Sequence, residues 1–367
     1  MASESQNGSV NTGAGLTRRQ AIGTAGAAAL LALPAIRRAH AADRSLKVSS
    51  YGGFFEQTLS QHVYPAFEKS SGVKVDSIAQ AEGTQFLIQL AQANKSGAAP
   101  MDLCLCGEED VLRGRAQSVW RPYDTAKIPN MGKVPASYVG KGPDGVDGIG
   151  AMAWYMTLVA NPDELKPLPD SWTAFWAAKP KNWGVNGGGA SSMFEITAAC
   201  YFGGIGILDT KEGIDKVLAK IAEIKPQVKL WWDDEGTMQT AFQNDEVVGG
   251  TYYHDVAGTM AKSGTPIRSI FPKEGALQGY SAWCQPSSSK KTAEAQEFIN
   301  FFCTPEAQEL VARFVGSAPV LPRKDLDLTD AEFNAVSSES TPIRFNAPAR
   351  VKFADYMEAQ FTKMVTA

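Results

Sequence analysis

Short β-rich segments alternate with helical segments from Leu46 onward, and this alternation restricts the fold more than any other feature of the sequence. Gly52 and Gly53 end the first β-rich segment, and apolar residues then recur at the spacing of one helix face. The sequence predicts strands at 46–51, 73–78 and 101–106, a helix after the first strand and another at 85–96. This β-α-β-α-β order predicts a mostly parallel sheet covered by helices.

The middle of the chain continues the same alternation but contains more glycine. Residues 141–150 are rich in Gly, Pro and Asp, which predicts a turn, and 151–161 form a long apolar strand. We place a crossover between two lobes near Trp154. Further strands are predicted at 247–256 and 266–271, and the segment 281–285 begins the return to the first lobe.

Helices in this second half are predicted from capping residues and periodicity. Ser171 begins a helix rich in aromatic residues, and a glycine-rich turn at 186–190 leads into the segment 191–202. Thr304 and Pro305 have the residue types of an N-cap and a first helical position. A clean amphipathic helix carries Ile214, Val217, Leu218, Ile221 and Ile224.

Residues 1–41 have the features of an export signal. The sequence TRRQ at 17–20 precedes an apolar stretch at 21–36, and AHA at 39–41 is a small-x-small cleavage pattern. The paired arginines indicate the twin-arginine route, although Ala21 stands where that pattern usually has a large apolar residue. The stretch is too short to span a bilayer. We therefore expect a signal peptide cleaved near Ala41 and a mature protein in the periplasm.

Length and charge exclude several classes of function. The mature part is long enough for two lobes of about 150 residues, each with its own core. The chain has a formal net charge of −4, and cleavage would remove four arginines and one glutamate. Nucleic acid is therefore excluded as a partner, because binding it requires clustered positive charge.

The cysteines indicate core positions rather than a disulfide framework or a metal site. Five is an odd number, so at least one thiol stays unpaired in an oxidising compartment. The pair at 104 and 106 lies in an apolar strand and has no second cysteine pair to complete a metal site. We expect no bound metal. The five positions are Cys104, Cys106, Cys200, Cys284 and Cys303.

Signatures of the common catalytic classes are absent from the sequence. It contains no Gly-x-Ser-x-Gly nucleophile turn, no phosphate-binding glycine loop and no dinucleotide-binding fingerprint. Adjacent acids occur at 108–109 and 233–234, but such pairs on turns are usually solvated. We expect a binding protein without catalytic residues and without a cofactor.

A series of short motifs in a fixed order gives the family. This series resembles the periplasmic solute-binding proteins that serve ABC importers, and within them the polyamine-binding branch, from Leu46 to about Lys324. The motifs are SSYGGFF at 49–55, YPAFEK at 64–69, SGVKV at 71–75, APMDL at 99–103, IPN at 128–130, PDSW at 169–172, SGTPI at 263–267 and FPKEG at 271–275.

The resemblance implies a two-lobed α/β fold of the type II-like periplasmic binding protein class. Each lobe is then a mostly parallel sheet flanked by helices, with hinge strands between the lobes. It assigns 43–153 and 280–322 to the first lobe, and 154–279 and 323–367 to the second. The lobes would close on a solute, and permease subunits of an ABC transporter in the inner membrane would recognise the closed form. We expect a monomer.

The resemblance also places candidate ligand contacts. Tyr51 and Tyr253 fall where the family has aromatic residues near the ligand, and their rings suit an amine or an apolar chain. The full set of expected ligand-binding residues is Tyr51, Gly107, Glu109, Ser191, Ser192, Trp232, Tyr253, Asp255, Ser281 and Ser317.

Departures from the polyamine-binding branch change the expected ligand. Gly279 and Ser281 stand where that branch has a Trp and an Asp. The other acidic residues of that branch lie on a helix start, which this chain fills with the residues GGGASSM at 187–193. A desolvated ammonium needs a charged partner, so a long polyamine is disfavoured. Backbone N–H groups and hydroxyls at 187–192 instead suggest an anion site, although an ordinary glycine-rich loop with a serine cap fits equally. Glu109, Trp232, Asp233 and Asp255 would hold an amine, which predicts a small polar, zwitterionic solute.

Three alternatives remain at the level of the sequence. An exported enzyme that has reused the two-lobed fold is the first, because fold alone does not determine function. A ferric-ion-binding protein is the second, since Tyr252, Tyr253 and His254 offer suitable ligand atoms. A sensor subunit that passes its ligand to a membrane receptor is the third.

Overall fold

The computed structural model describes residues 44–80 and 83–367. The predicted signal peptide at 1–41 lies outside these residues. Within them, no helix combines the length and the apolar character needed to cross a membrane.

Strands and helices alternate along the described chain. The strands are β1 (Ser45–Ser50), β2 (Lys74–Ala79), β3 (Leu103–Gly107), β4 (Val139–Gly142), β5 (Gly145–Ala160), β6 (Trp183–Asn186), β7 (Val228–Trp232), β8 (Gly249–Tyr253), β9 (Arg268–Ile270), β10 (Leu277–Cys284) and β11 (Ile343–Arg344). The α-helices are α1 (Gly53–Thr58), α2 (Tyr64–Ser71), α3 (Gly83–Lys95), α4 (Glu108–Ala116), α5 (Met193–Tyr201), α6 (Lys211–Ala222), α7 (Glu235–Gln243), α8 (His254–Lys262), α9 (Thr292–Phe302), α10 (Pro305–Leu310), α11 (Asp330–Asn334) and α12 (Ala347–Thr366).

The predicted β-α-β-α-β opening is confirmed. Gly52 and Gly53 have φ values of 79° and 58°, a backbone region that glycine adopts without a steric penalty. The chain therefore turns sharply out of β1 and enters α1, which continues through a π-helical turn at Leu59–Val63 into α2. The capping prediction at Thr304 is also confirmed, because its side chain accepts a hydrogen bond from the Ala307 N–H.

One hydrogen-bonded sheet runs through both halves of the molecule in the order β2-β1-β3-β10-β5-β8-β6-β7. At one end β2, β1 and β3 are parallel, and at the other end β8, β6 and β7 are parallel. The two central strands, β10 and β5, pair antiparallel with each other and with their outer neighbours. The result is two parallel three-stranded units joined by two antiparallel strands.

Two separate hydrophobic cores lie against this sheet, and β5 belongs to both. Its side chains up to Tyr155 pack in the first core, and those from Met156 pack in the second. This change lies beside Trp154, where the sequence placed the crossover. In β10, Leu277 packs in the second core and Tyr280 in the first. The two central strands therefore connect the two lobes.

The prediction of a turn over 141–150 is wrong. The structure forms a β-hairpin there, with β4 and β5 antiparallel and only Pro143 and Asp144 in the turn. The glycines that suggested an irregular segment lie in the paired strands, where the hairpin register accommodates them. Composition located the reversal of the chain but overestimated its length.

The packing of the C-terminal part differs from the predicted lobe boundary at 322. Leu326, Leu328, Phe333 and Val336 lie in the first core, because the segment carrying α11 packs against the first lobe. Ile343 is the next residue of the second core. We propose that the chain returns to the second lobe between Val336 and Ile343.

All five cysteines are described, and none forms a disulfide. Cys104 and Cys284 are direct partners across β3 and β10. Cys106 lies two residues after Cys104 on β3, opposite Ala282, and packs in the same core. Burial raises the pKa of the Cys104 and Cys284 thiols, because an apolar environment disfavours the thiolate. These thiols are unreactive core side chains in the folded protein.

Candidate functional site

Two adjoining cavities occupy the cleft between the lobes. The first chamber has a volume of about 1230 Å³ and is lined by Phe55 and residues 312–317 of the first lobe and by residues 253–262 of the second. The second chamber, of about 590 Å³, is lined by the start of α4, by β10 and by the start of α12. Both are large enough for a small organic solute.

Four residues line both chambers, and we call them the collar: Tyr51, Trp154, Tyr253 and Ser281. The hydroxyls of Tyr51 and Ser281 lie 2.8 Å apart and form a hydrogen bond between β10 and the end of β1. The rings of Trp154 and Tyr253 pack edge to face with 5.6 Å between their centroids. The collar therefore surrounds the junction of the two chambers with three hydroxyls and three aromatic rings.

Seven of the expected ligand-binding residues line these two chambers. Tyr51, Tyr253 and Ser281 belong to the collar, Gly107 and Glu109 to the second chamber, and Asp255 and Ser317 to the first. Their convergence follows from topology, because the loops after parallel strands meet at one edge of a sheet. Ser317 is held beside the collar by paired backbone hydrogen bonds of 2.8 Å between Ala318 and Ala153.

Ser191 and Ser192 do not reach the cleft, and the expected exposure of their hydroxyls is wrong. Both side chains are fully buried. The Ser191 hydroxyl donates to the backbone carbonyl of Asn186 at 2.6 Å, and the Ser192 hydroxyl donates to the Asn186 side-chain carbonyl. The hydroxyls therefore fix the turn that precedes α5 and are not presented to a solute in this structure.

Trp232 and the glycine turn at 187–189 line a third cavity of about 440 Å³, which also reaches Tyr253. The N–H group that the turn offers at Gly189 is already bonded to the Glu358 carboxylate of α12, at 2.5 Å. The protein therefore supplies its own anion at this turn. An external anion would have to displace Glu358.

The first chamber contains two acids that lack a basic partner. Asp255 lies in the first turn of α8 and Glu235 in the first turn of α7. Among the described residues, neither forms an ion pair within 4.0 Å. Both side chains are exposed in the open cleft. Partial desolvation by the cleft walls raises the pKa of each carboxyl group, and Asp255 raises the pKa of Glu235 further by repulsion. This pair would gain from a cation.

The acids of the second chamber are mostly neutralised by arginine. Arg113 pairs with Glu109 at 2.8 Å and with Asp110 at 3.3 Å. Glu108, beside them, is not in an ion pair within the described part of the chain, and burial raises its pKa to about 7. The second chamber therefore carries much less uncompensated negative charge than its acid content suggests.

Trp154, like Glu235, is a cleft residue that the sequence did not identify as a ligand contact. Its indole also contacts Phe345, at 5.4 Å between ring centroids. Gly279, which stands where the polyamine-binding branch has a Trp, lies directly beneath the indole. The pairing of Trp154 with Gly279 across β5 and β10 would have identified it, but only the strand register of the structure reveals that pairing.

The tyrosines weighed as iron ligands point to opposite sides of β8. Tyr253 lines the cleft, whereas Tyr252 is buried and donates a hydrogen bond to the Glu235 carbonyl at 2.9 Å. In the part of the chain that the structure describes, no group of three or more His, Cys, Asp or Glu side chains is arranged to hold a metal ion.

His254 connects the two lobes beside the first chamber. Its Nε2 donates to the Asn334 carbonyl in α11 at 3.2 Å, and its Nδ1 accepts from the Ser269 hydroxyl at 2.8 Å. Nε2 must carry the proton because a carbonyl only accepts. Burial lowers the pKa of His254, so the neutral ring is favoured in the folded protein.

We expect stability to fall as the pH drops through about 6.5, the ordinary pKa of histidine. The pKa of His254 in the folded protein is lower than that value, so the unfolded chain binds the proton first and is stabilised relative to the folded protein as the pH falls. Each pKa unit of difference between the two states changes the free energy of unfolding by about 1.4 kcal/mol. Melting temperatures between pH 7.5 and 5 should fall less steeply for His254→Gln than for the unchanged protein. Equal slopes for His254→Gln and the unchanged protein would contradict this assignment.

The sequence pattern of the bacterial extracellular solute-binding proteins matches residues 63–335. The chain belongs to this family. The resemblance drawn from the short motifs is thereby confirmed.

Similar proteins agree with the family and the fold. The gamma-aminobutyric acid-binding protein of Pseudomonas aeruginosa is 24% identical over 337 residues, covering 84% of this chain and 92% of the relative. The spermidine/putrescine-binding periplasmic protein of Salmonella typhimurium is 23% identical over 253 residues, covering 68% of this chain and 71% of that relative. The structure of an ABC transporter substrate-binding protein from Bradyrhizobium japonicum USDA 110 has a TM-score of 0.74 at 17% identity, covering 88% of this chain and 99% of that one. The two-lobed fold of this solute-binding protein is therefore established.

Proposed function

We propose that this protein is the periplasmic substrate-binding subunit of an ABC importer for a small zwitterion with a primary amine, in the class of 4-aminobutyrate. The observation that carries the proposal is the unpaired acid pair, Asp255 and Glu235, in a cleft chamber that also presents the rings of Trp154 and Tyr253. A desolvated ammonium requires charged partners and gains further from aromatic faces.

The opposite wall of the first chamber suits the carboxylate end of such a solute. Tyr51, Ser281 and Ser317 carry hydroxyls there, and hydroxyls donate hydrogen bonds to carboxylates. The methylene chain between the two charged ends would lie against the collar rings. In this orientation the ammonium group pairs with the acids and the carboxylate accepts hydrogen bonds from the hydroxyls.

The charge pattern of the second chamber argues against a long polyamine that extends through both chambers. Each ammonium group needs an uncompensated acid when water is excluded, and in the described part of the chain Glu108 is the one acid lining the second chamber that is outside an ion pair. Glu109 and Asp110 are already paired with Arg113, and Ser281 offers only a hydroxyl. The relative that binds gamma-aminobutyric acid supports the same choice, because it matches more of this chain than the spermidine/putrescine-binding relatives do.

The cellular context of the proposal follows from the N-terminal sequence and the relatives. We infer that residues 1–41 are a twin-arginine signal peptide removed near Ala41, and that the mature monomer acts in the periplasm. It would deliver its solute unchanged to permease subunits in the inner membrane. The names of the relatives, which are binding proteins, support a role without catalysis.

Thermal-shift screening followed by calorimetry of the mature protein tests the proposal. We expect 4-aminobutyrate and similar amino acids to raise the melting temperature, and butyrate and butylamine to bind more weakly because each supplies one charge only. Stabilisation by putrescine and spermidine, with none by any zwitterion, would reject the proposal. Turnover of a bound compound would reject the non-catalytic role.

A further inference from the structure

We propose that Trp154 determines the maximum length of the solute that the cleft accepts, by acting as a partition between the two chambers. This inference rests on the proposed function for the class of ligand, but its structural basis is the collar. Trp154 is the largest side chain of the collar and lines both chambers.

The indole is fixed in the junction from below by a glycine. Trp154 in β5 and Gly279 in β10 are direct cross-strand partners. A Cβ atom at Gly279 would lie 2.3 Å from Cζ2 and 2.5 Å from Cε2 of the indole, closer than non-bonded atoms approach. The ring therefore lies flat over the backbone at the one position where no side chain competes for the space.

Two further rings hold the indole from the sides. Tyr253 packs against it edge to face with a 70° interplanar angle, and Phe345 packs at 51°. Such pairs contribute specific geometry in addition to burial. A ring held by three neighbours is a rigid wall, and a rigid wall discriminates between ligands by size.

The chambers on the two sides of this wall differ in how their acids are paired. Asp255 and Glu235 of the first form no ion pair within the described residues, although Lys262 and Arg313 also line that chamber. In the second, Glu109 and Asp110 are paired with Arg113. A short ω-amino acid bound to Asp255 fits within the first chamber. In the proposed orientation the carboxylate lies at the collar hydroxyls, so a longer chain extends toward the junction of the chambers, which the indole of Trp154 lines.

Chain-length selectivity tests the proposal. Dissociation constants for 4-aminobutyrate, 6-aminohexanoate, 8-aminooctanoate and spermidine would be measured by calorimetry for the unchanged protein, Trp154→Ala and Gly279→Ala. We expect the unchanged protein to prefer 4-aminobutyrate over 8-aminooctanoate by at least about tenfold. Both substitutions should shift that ratio by about tenfold toward the longer compound, Trp154→Ala by removing the ring and Gly279→Ala by displacing it.

Matched controls separate this role from general destabilisation. Trp176 is a half-buried tryptophan of the second lobe outside both chambers, packed on Tyr201, so Trp176→Ala should leave the ratio unchanged. Trp154→Phe should shift the ratio less than Trp154→Ala. The proposal is overturned if Trp154→Ala and Gly279→Ala both keep the original ratio within about twofold.

Failure of the proposed function has a different signature, because the unchanged protein would then bind no member of the series. A crystal structure of Trp154→Ala decides the inference in that case. One continuous cavity in place of two chambers supports the partition. Movement of Tyr253 or Phe345 into the gap, with two chambers retained, overturns it.

Discussion

Replacing Arg350 by alanine is expected to lower the free energy of unfolding by about 3–5 kcal/mol. The Arg350 guanidinium is buried in the second lobe and donates to both oxygens of the Glu195 carboxylate, at 2.8 and 2.6 Å. Glu195 is fully buried as well. Removal of the arginine would leave this carboxylate without its counter-charge in an environment that excludes water, which is costlier than the loss of the pair's attraction.

The same substitution should loosen the glycine turn before α5. Arg350 also donates to the backbone carbonyls of Gly189 and Ser191, at 3.4 and 2.8 Å. Denaturation by guanidinium chloride, monitored by tryptophan fluorescence, measures the loss of unfolding free energy. The double variant Glu195→Gln with Arg350→Met should be more stable than Arg350→Ala, because it removes both charges together. Asp330→Asn, which breaks the exposed pair with Arg323, should change stability by less than about 0.5 kcal/mol. A value for Arg350→Ala as small as that of Asp330→Asn would show that the buried pair is unimportant.

The largest expected effect on binding is at Asp255. Asp255→Asn should weaken the binding of 4-aminobutyrate by about 10–100-fold, because a neutral amide replaces a charged acceptor for the ammonium group. Glu235→Gln should have a smaller effect in the same direction, since it leaves Asp255, the acid to which we assign the ammonium group. Calorimetry at pH 7.5 measures both.

Two controls make the Asp255 result specific. Asp163 is an exposed acid that lines neither chamber, so Asp163→Asn should keep the original affinity. Butyrate has no ammonium group, so its weak binding should be the same for Asp255→Asn and the unchanged protein. Unaltered 4-aminobutyrate affinity in Asp255→Asn would show that the amine lies elsewhere in the cleft.

Local patterns predicted much of the fold, and the family resemblance placed seven residues that line the two chambers. The alternation of strands and helices is encoded in short-range periodicity and in glycines such as Gly52, so it is readable without tertiary information. The resemblance pointed to residues at strand ends, such as Tyr51 and Gly107, and the topology of a parallel sheet brings those ends together.

The remaining features depend on partners that are distant in sequence. Ser191 and Ser192 have the residue types of an exposed cap, but Asn186 and the covering α12 bury them. Trp154 lies in an apolar strand in which nearly every neighbour is buried, so no periodicity marks the side that borders a cavity. Phe333 and Val336 could belong to either core by composition, and only the packing of α11 assigns them to the first.

The sulfur atoms packed inside the first core have a consequence for biogenesis. Cys104, Cys106 and Cys284 are shielded once β3 and β10 have paired, but all three are open to oxidation and to mispairing in a chain that has not yet folded. A polypeptide that reached an oxidising compartment unfolded would risk crosslinks that this sheet cannot accommodate. Completing the first lobe while the surroundings are still reducing avoids that loss.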